Sequence, residues 1–501
     1  MNILRLVVLI IFFIIGRQGV NAQNRISLAQ QQQDFTVFRT GIREMQPGQD
    51  WFISPQRFNA INDSIYQSLR ADDEVENFYY KLRFCLAALK SAHNGISLPA
   101  GTGNKTNGLP FVLRYLNERL YIKVNCSPNQ AIPNGSELVS INGTSVKDLS
   151  NEFLRYCFSN GRNTNFAYQK LGVYSDFLNF LKALHPAKEY RLEIIPFQQT
   201  KKVTVTVPTQ PYDTIAKYYK KQMGRAMNYW NPAAKKMDYT LLDPNKYIGY
   251  FKLTTFSESD LGDQYKAQLD AIFDRIRKDK VKSLIVDIRG NGGGDDDVEQ
   301  YVTSYFRAVP KDINNANLYL QSDKFTQLNF VEQGGNLADD NKLFQAFVAD
   351  PYSIVDKTPD GRYKVKSALL ANDIKEKPLR PNAFKGEVYL LQNGFTFSAA
   401  CTFAFRLKKL IQNDGGFIKV IGEDNGYDAK SGVSSGGYFV NLVLPNSKIK
   451  VWVPIVASGS FKPYTIPKDE FLDYKVTPTA KECVDEVDVE LGFAKQLLNL
   501  K

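Results

Sequence analysis

The sequence predicts an α/β fold, and its second half gives the clearest indication. From about residue 245 onward, short apolar segments alternate with amphipathic segments of helical length. The segments 283–288, 386–391 and 417–422 are mostly apolar, which is typical of parallel strands covered on both faces. Strand–helix alternation of this kind predicts a sheet with helices packed against it.

The chain has 501 residues, more than one compact core usually organises, so several units are expected. One helix is predicted within Ala60–Leu89 and another over Thr479–Leu500, because apolar residues recur at helical spacing in both. Residues 109–207 contain strand-like alternation instead. The expected units are an N-terminal helical region (23–105), a β-rich unit (106–207), a polar linker (208–240) and the α/β core (241–501).

The first 22 residues (1–22) predict a secretory signal peptide. Arg5 precedes the apolar run Leu6–Ile15, and Val20-Asn21-Ala22 forms a small-residue cleavage pattern before Gln23. The run is short for a membrane span, although an uncleaved anchor is the alternative. The mature protein is therefore expected to be exported to the periplasm, the cell surface or the medium.

The net charge and the cysteine content limit which kinds of binding partner and metal site the sequence predicts. The formal net charge is +11, but the basic residues are scattered, which favours a solubilising surface over nucleic-acid binding. Peripheral membrane association and the oligomeric state stay open. No CxxC pair is present, so a zinc site is not expected. The odd cysteine count leaves at least one free thiol; the cysteines are Cys85, Cys126, Cys157, Cys401 and Cys483.

Two motifs follow predicted buried strands. Asp287–Gly294 contains four glycines, whose backbone N–H groups can converge on an anion; a plain glycine turn is the alternative. Ser398 lies in Gln392–Ala400, where a strand gives way to a helix. Its hydroxyl is expected at the sheet edge, with the N–H of Ala399 at the positive helix end. Serine is also a common N-cap, so a purely structural role is the alternative.

The chain has two histidines. His93 follows a predicted helix next to a turn, and a serine nucleophile needs a base of this kind. A structural role for such a lone histidine is the alternative. His185 precedes Pro186 in a polar loop and is expected on the surface.

The pattern D-x-R-x-N-x-G-G, followed at a distance by N-G-x-T-x-S-A, resembles the C-terminal processing (tail-specific) peptidases and the related tricorn core proteases. The resemblance extends over roughly 245–500 and includes Ile421–Gly426 and Val451–Pro454. The segment Gly135–Gly143 resembles the PDZ-like domain of these enzymes. The resemblance implies a ClpP/crotonase-like catalytic core with a PDZ-like β-rich domain and an N-terminal helical region.

The resemblance also implies residue roles. Ser398 would be the nucleophile, with an oxyanion hole from the N–H groups of Gly293 and Ala399. The tricorn-like branch takes its base from an N-terminal histidine, which favours His93, although Ala92 stands where those proteases have a serine. The other branch uses a lysine after the nucleophile, for which Lys430 is the alternative. The candidates for an orienting carboxylate are Glu423, Asp469 and Glu470.

The implied function is that of a secreted serine endopeptidase that hydrolyses polypeptides through an acyl-enzyme, without a cofactor. The PDZ-like unit would receive a peptide. The main alternative is a catalytically inactive homologue that binds peptides or apolar ligands. Acyl-CoA chemistry on the shared crotonase fold is a third reading, but it fits poorly with export.

Overall fold

The structure is a computed structural model of the whole chain. It describes residues 24–102, 107–129, 131–173, 176–227, 235–311, 318–332, 346, 349–350, 353–359, 361–370, 376–427, 433–436, 438–459 and 471–500. The predicted signal peptide (1–22) and Lys430 lie outside these residues. None of the described helices is long and apolar enough to cross a membrane.

The N-terminal region contains helices, as expected, but the segment 60–89 forms parts of two helices. Asp72 has a φ of 53°, and this left-handed residue lies in the break between them. A short strand, β3, follows where none was predicted. The elements are β1 (Arg25–Ile26), α1 (Leu28–Met45), α2 (Pro55–Gln67), β2 (Asp73–Glu74), α3 (Val75–Ala87) and β3 (Gly95–Ser97).

The middle of the chain forms a sheet in the order β4–β5–β6–β8–β9, with β7 paired to β6, and it has its own apolar core. Helices α5 and α6 lie in a stretch where no element was predicted. The elements are β4 (Phe111–Leu116), β5 (Arg119–Asn125), β6 (Glu137–Ile141), β7 (Thr144–Ser145), α4 (Val146–Leu154), α5 (Asn165–Val173), α6 (Asp176–Leu184), β8 (Glu189–Ile195) and β9 (Val203–Pro208).

The segment 208–240, expected to be a polar and partly helical linker, leads into the core sheet. It contains α7 (Tyr212–Met223) and the start of β10 (Met237–Asp243), which is the first strand of the core sheet. The next elements are β11 (Ile248–Leu253), α8 (Glu258–Leu261), α9 (Tyr265–Lys278), β12 (Ser283–Asp287), α10 (Asp296–Thr303), β13 (Tyr319–Leu320), β14 (Val355–Lys357), β15 (Tyr363–Val365) and β16 (Glu387–Gln392).

The C-terminal part completes the core. The helix predicted over 479–500 is two helices, because Glu486 has a φ of 54° and Asp488 caps a new helix by accepting from the N–H of Leu491. The elements are α11 (Ala399–Asn413), β17 (Ile418–Gly422), β18 (Val433–Ser435), β19 (Phe439–Val443), β20 (Lys450–Pro454), β21 (Ala457–Gly459), β22 (Tyr474–Lys475), α12 (Ala480–Val484) and α13 (Val489–Leu497).

The core sheet has the order β10–β11–β12–β16–β17–β22. All its pairs are parallel except β10–β11, and every residue of β12 is buried. Apolar side chains of α9, α10 and α11 cover one face, and those of α13 pack on the other. The prediction of a mixed α/β fold is therefore confirmed.

The N-terminal helices do not pack by themselves. Phe38 and Phe78 share an apolar cluster with Leu442 of β19 and Val451 of β20. Strand β3 extends this contact by pairing with β20, Ile96 opposite Val451. These contacts attach the segment that carries His93 to the C-terminal half of the chain.

Candidate active site

Two turns leave the core sheet at the same edge. Strands β12 and β16 are parallel neighbours, with Asp287 opposite Leu391 where they end. The turns that follow are joined by hydrogen bonds: the N–H of Phe397 donates to the carbonyl of Asn291 (3.0 Å), and the Thr396 hydroxyl donates to the carbonyl of Ile288 (3.1 Å). The glycine-rich motif and the serine motif are therefore held side by side.

Ser398 occupies a strained position between β16 and α11. Its φ is 55° and its ψ is −128°, a conformation that costs a residue with a side chain about 1–3 kcal/mol. Its side chain makes no capping hydrogen bond to the helix. The N-cap role thus fails to account for this serine. Strained strand-to-helix turns of this type expose a hydroxyl for chemistry in other hydrolases.

The structure brings His93 to Ser398 although 305 residues separate them: Nε2 of His93 lies 3.0 Å from Oγ of Ser398. This distance is within hydrogen-bond reach, as a base must be to accept the serine proton. The described contacts of the other histidine lie elsewhere, since His185 pairs with Glu152 at 2.9 Å on the surface.

Aromatic rings hold the imidazole in place. The ring centroids of His93 and Phe397 are 4.7 Å apart, and Phe166 of α5 stacks on Phe397 at 4.6 Å with an interplanar angle of 17°. A Cβ placed on Gly436 would lie 3.0 Å from two atoms of the imidazole, so this glycine allows a close approach. The middle unit thereby contributes to the surroundings of the site through Phe166.

Gly293 touches the serine directly. Its φ is 98°, and a Cβ built there would lie 2.7 Å from Cβ of Ser398 and 2.9 Å from the backbone N of Ala399. Both the backbone conformation and the lack of space require glycine at this position. The glycine-rich motif therefore packs directly against the serine motif, and only glycine at 293 leaves room for Ser398.

The two expected oxyanion donors differ. Ala399 is the first residue of α11, where backbone N–H groups have no partner within the helix, and no acceptor for it is found among the described residues. The positive end of the helix dipole adds to its attraction for an anion. The N–H of Gly293, in contrast, donates to Oδ1 of Asn291 at 2.9 Å. This N–H must therefore turn away from Asn291, or donate to both acceptors at once, before it can bind an oxyanion.

The other predicted residues lie farther away or outside the described chain. The alternative base Lys430 and the carboxylates Asp469 and Glu470 are not described. Glu423 accepts a hydrogen bond from Gln169 (2.8 Å), and burial raises the pKa of its carboxyl group. None of its described contacts reaches His93. No described group of three or more metal-ligating side chains is clustered for a metal ion.

Sequence reasoning missed an ion-pair cluster behind the glycine turn. Arg289 bonds to Asp287 (2.7 Å), Asp488 (2.6 Å) and Glu490 (3.1 Å), and Tyr250 donates to Asp287 at 2.6 Å. The arginine belongs to the recognised D-x-R pattern, but its partners at 488 and 490 have no sequence signal. This cluster fastens the start of α13 to the base of the glycine turn.

Comparisons with known proteins agree with this architecture. Residues 247–326 match the model of Peptidase family S41. The structure of mature CPAF is similar at 16% identity, with a TM-score of 0.55, 94% of this chain covered and 98% of that one. Mature CPAF complexed with lactacystin gives 17% identity, a TM-score of 0.54 and coverages of 94% and 99%.

A third structure, the photosystem II D1 C-terminal processing protease, has 15% identity, a TM-score of 0.37 and coverages of 92% and 98%. No curated protein matches the sequence. At these identities the CPAF structures establish a shared fold.

Proposed function

We propose that this chain, which belongs to the C-terminal processing peptidase family (peptidase family S41), hydrolyses polypeptides through an acyl-enzyme on Ser398. The observation that carries the proposal is the 3.0 Å contact between Nε2 of His93 and Oγ of Ser398. It occurs at a strained turn where the serine has no capping role. A displaced base would instead have favoured the inactive, ligand-binding alternative.

The proposed reaction begins when His93 accepts the hydroxyl proton of Ser398 as Oγ attacks the peptide carbonyl. The N–H of Ala399, at the positive end of α11, stabilises the developing oxyanion. Gly293 joins it once its N–H turns from Asn291. His93 then gives the proton to the leaving amine, and a water molecule, activated in the same way, releases the acyl group.

The assignment of domains belongs to the same proposal. The core sheet with α9, α10, α11 and α13 would be the ClpP/crotonase-like catalytic core, and the 106–207 unit would be the PDZ-like domain that receives a peptide. Its helix α5 already contacts the site through Phe166. Export through a signal peptide at 1–22 is also part of the proposal, supported by the sequence pattern alone.

The experiment is a kinetic comparison of Ser398→Ala with the parent on an unfolded protein substrate. We expect kcat to fall by about 10⁴- to 10⁶-fold, as after removal of a catalytic nucleophile elsewhere. Ser145→Ala is a matched control, because Ser145 does cap its helix by accepting from the N–H of Asp148. That variant should lose about 1 kcal/mol of stability and keep its activity. Undiminished hydrolysis by Ser398→Ala would refute the proposal.

A further inference from the structure

A cavity lies on the histidine side of the candidate site. Its volume is about 520 Å³, within the usual range for a ligand site. It is lined by His93, by residues 94–97 leading into and forming β3, and by Asn441, Lys450 and Trp452 of the neighbouring strands β19 and β20. Neither Gly293 nor Ala399 is among the residues that line it.

The cavity exists because of the alternation along β20. Val451 and Val453 are buried in the core, and Lys450 and Trp452 alternate with them on the opposite face. Trp452 keeps 38% of its surface exposed. Its partner across the sheet is Gly95, where an added Cβ would lie only 3.2 Å from Cβ of Trp452. A larger residue at 95 would therefore crowd the indole side of the cavity.

An aromatic side chain lies between Trp452 and the imidazole. The Phe439 ring lies 5.4 Å from Trp452 and 5.9 Å from His93, centroid to centroid. The polar groups farther along satisfy one another: Lys450 pairs with Glu332 at 2.6 Å, and Asn441 donates to the same carboxylate at 3.1 Å. Since its described charges are already paired, the cavity suits an apolar or aromatic side chain.

Strand β3 provides a place for the backbone of a ligand. Within the described residues the sheet has the order β19–β20–β3, so β3 has a partner on one side only. Its outer edge, starting two residues after His93, can pair with an extended peptide. Such a peptide would be led directly past the imidazole.

We propose that this cavity binds an apolar side chain of the polypeptide substrate on the leaving-group side of the scissile bond. The inference rests on the proposed peptidase function. A catalytic histidine passes the serine proton to the leaving amine, so the leaving segment lies beside the imidazole. The oxyanion donors hold the carbonyl oxygen of the scissile bond, from which the acyl segment and the leaving segment extend in different directions. The cavity is lined by His93 and not by Gly293 or Ala399, which matches the leaving segment.

If the cavity holds the leaving segment, Trp452 affects only the acylation step, whereas a structural role for Trp452 would affect every substrate equally. Contacts with the leaving segment act only while the acyl-enzyme forms. An activated ester without residues after the scissile bond makes no such contacts, and its hydrolysis should not depend on Trp452. Peptide cleavage should depend on Trp452, and most strongly for a large apolar residue directly after the cleaved bond.

The test uses the full chain with Trp452→Ala and Trp452→Phe. Phe417→Ala is the matched control, since Phe417 is 41% exposed and lies outside the cavity. The substrates are fluorogenic peptides that differ only after the scissile bond, with phenylalanine or aspartate there, and a trifluoroethyl ester, whose leaving group is too small to fill the cavity. For Trp452→Ala we expect kcat/KM to fall about 10- to 100-fold on the phenylalanine peptide. It should change less than about threefold on the aspartate peptide and on the ester.

Trp452→Phe should give a smaller loss on the same peptide, and the control should give none. If Trp452→Ala is poorly folded by thermal unfolding, Gly95→Ala replaces it, because the added methyl narrows the cavity while the indole stays in place. Equal losses on peptide and ester, or an unchanged preference for phenylalanine, would overturn the inference while ester hydrolysis still supports the peptidase. Absence of any Ser398-dependent hydrolysis in the parent would overturn both.

Discussion

Replacing Gly293 by alanine tests how the glycine turn supports the nucleophile. The new Cβ would lie 2.7 Å from Cβ of Ser398, whereas ordinary contact begins at 3.4 Å. The serine must therefore move by several tenths of an ångström, because its Cβ is fixed to the main chain and the other two nearest atoms are backbone. Displacements approaching 1 Å cost about 10²-fold in rate. Disturbance of an oxyanion donor costs about 10²- to 10³-fold. We expect kcat/KM to fall at least 10²-fold.

The same motif offers two controls for this variant. Gly292→Ala meets no atom within 4 Å and has no left-handed φ, so it should keep activity and stability. Gly290→Ala meets no atom either, but its φ of 74° should cost about 1–2 kcal/mol of stability with little change in rate. Peptide hydrolysis and thermal unfolding separate the three effects. Activity of Gly293→Ala within threefold of the parent would refute the reasoning.

Three further predictions concern the His93–Ser398 pair and the residues that support the site. His93→Ala should lower kcat about 10⁴-fold and Lys430→Ala should keep most of it, whereas the opposite result in the same assay would assign the base to the lysine branch. Phe166→Leu removes the ring stacked behind the neighbour of His93 and should lower kcat about three- to tenfold at constant KM, and an unchanged kcat would contradict this. Burial alone would raise the pKa of Asp488, but its bonds to Arg289 outweigh burial and lower the pKa below 3.8. The ionised Asp488 therefore stabilises the fold above that pH, and this stabilisation is lost as the pH falls through the lowered pKa. The Tm of the parent should exceed that of Asp488→Asn, and this difference should shrink between about pH 5 and 2. A difference in Tm that stays constant over this range would contradict the prediction.

Local patterns were sufficient to predict the buried strands and the two turns of the site. The apolar run at 283–288 predicted β12, and the junction at Ser398 predicted the start of α11, each to within one residue. Such features depend on neighbours in the sequence, so a single chain reveals them. The backbone strain at Ser398 was not foreseen, because it depends on the close approach of Gly293.

Long-range features had no comparable signal. Strand β3 has only three residues and forms by pairing with β20, far away in the sequence. A segment this short, next to predicted helices, has no periodicity from which a strand could be predicted. The stacking of Phe166 on Phe397 and the pairing of Arg289 with Asp488 join segments about 200 residues apart or more. The proximity of His93 and Ser398 was implied by family resemblance, since no spacing rule connects positions 305 residues apart.

The central claim is that His93 activates Ser398 as a nucleophile. Mass spectrometry of the protein after reaction with a fluorophosphonate measures this directly. We predict a single adduct on Ser398 in the parent and at least 10²-fold slower labelling in His93→Ala, with the His185→Ala rate unchanged. Labelling of Ser398 at the same rate in His93→Ala, or no labelling of Ser398 in the parent, would contradict the claim.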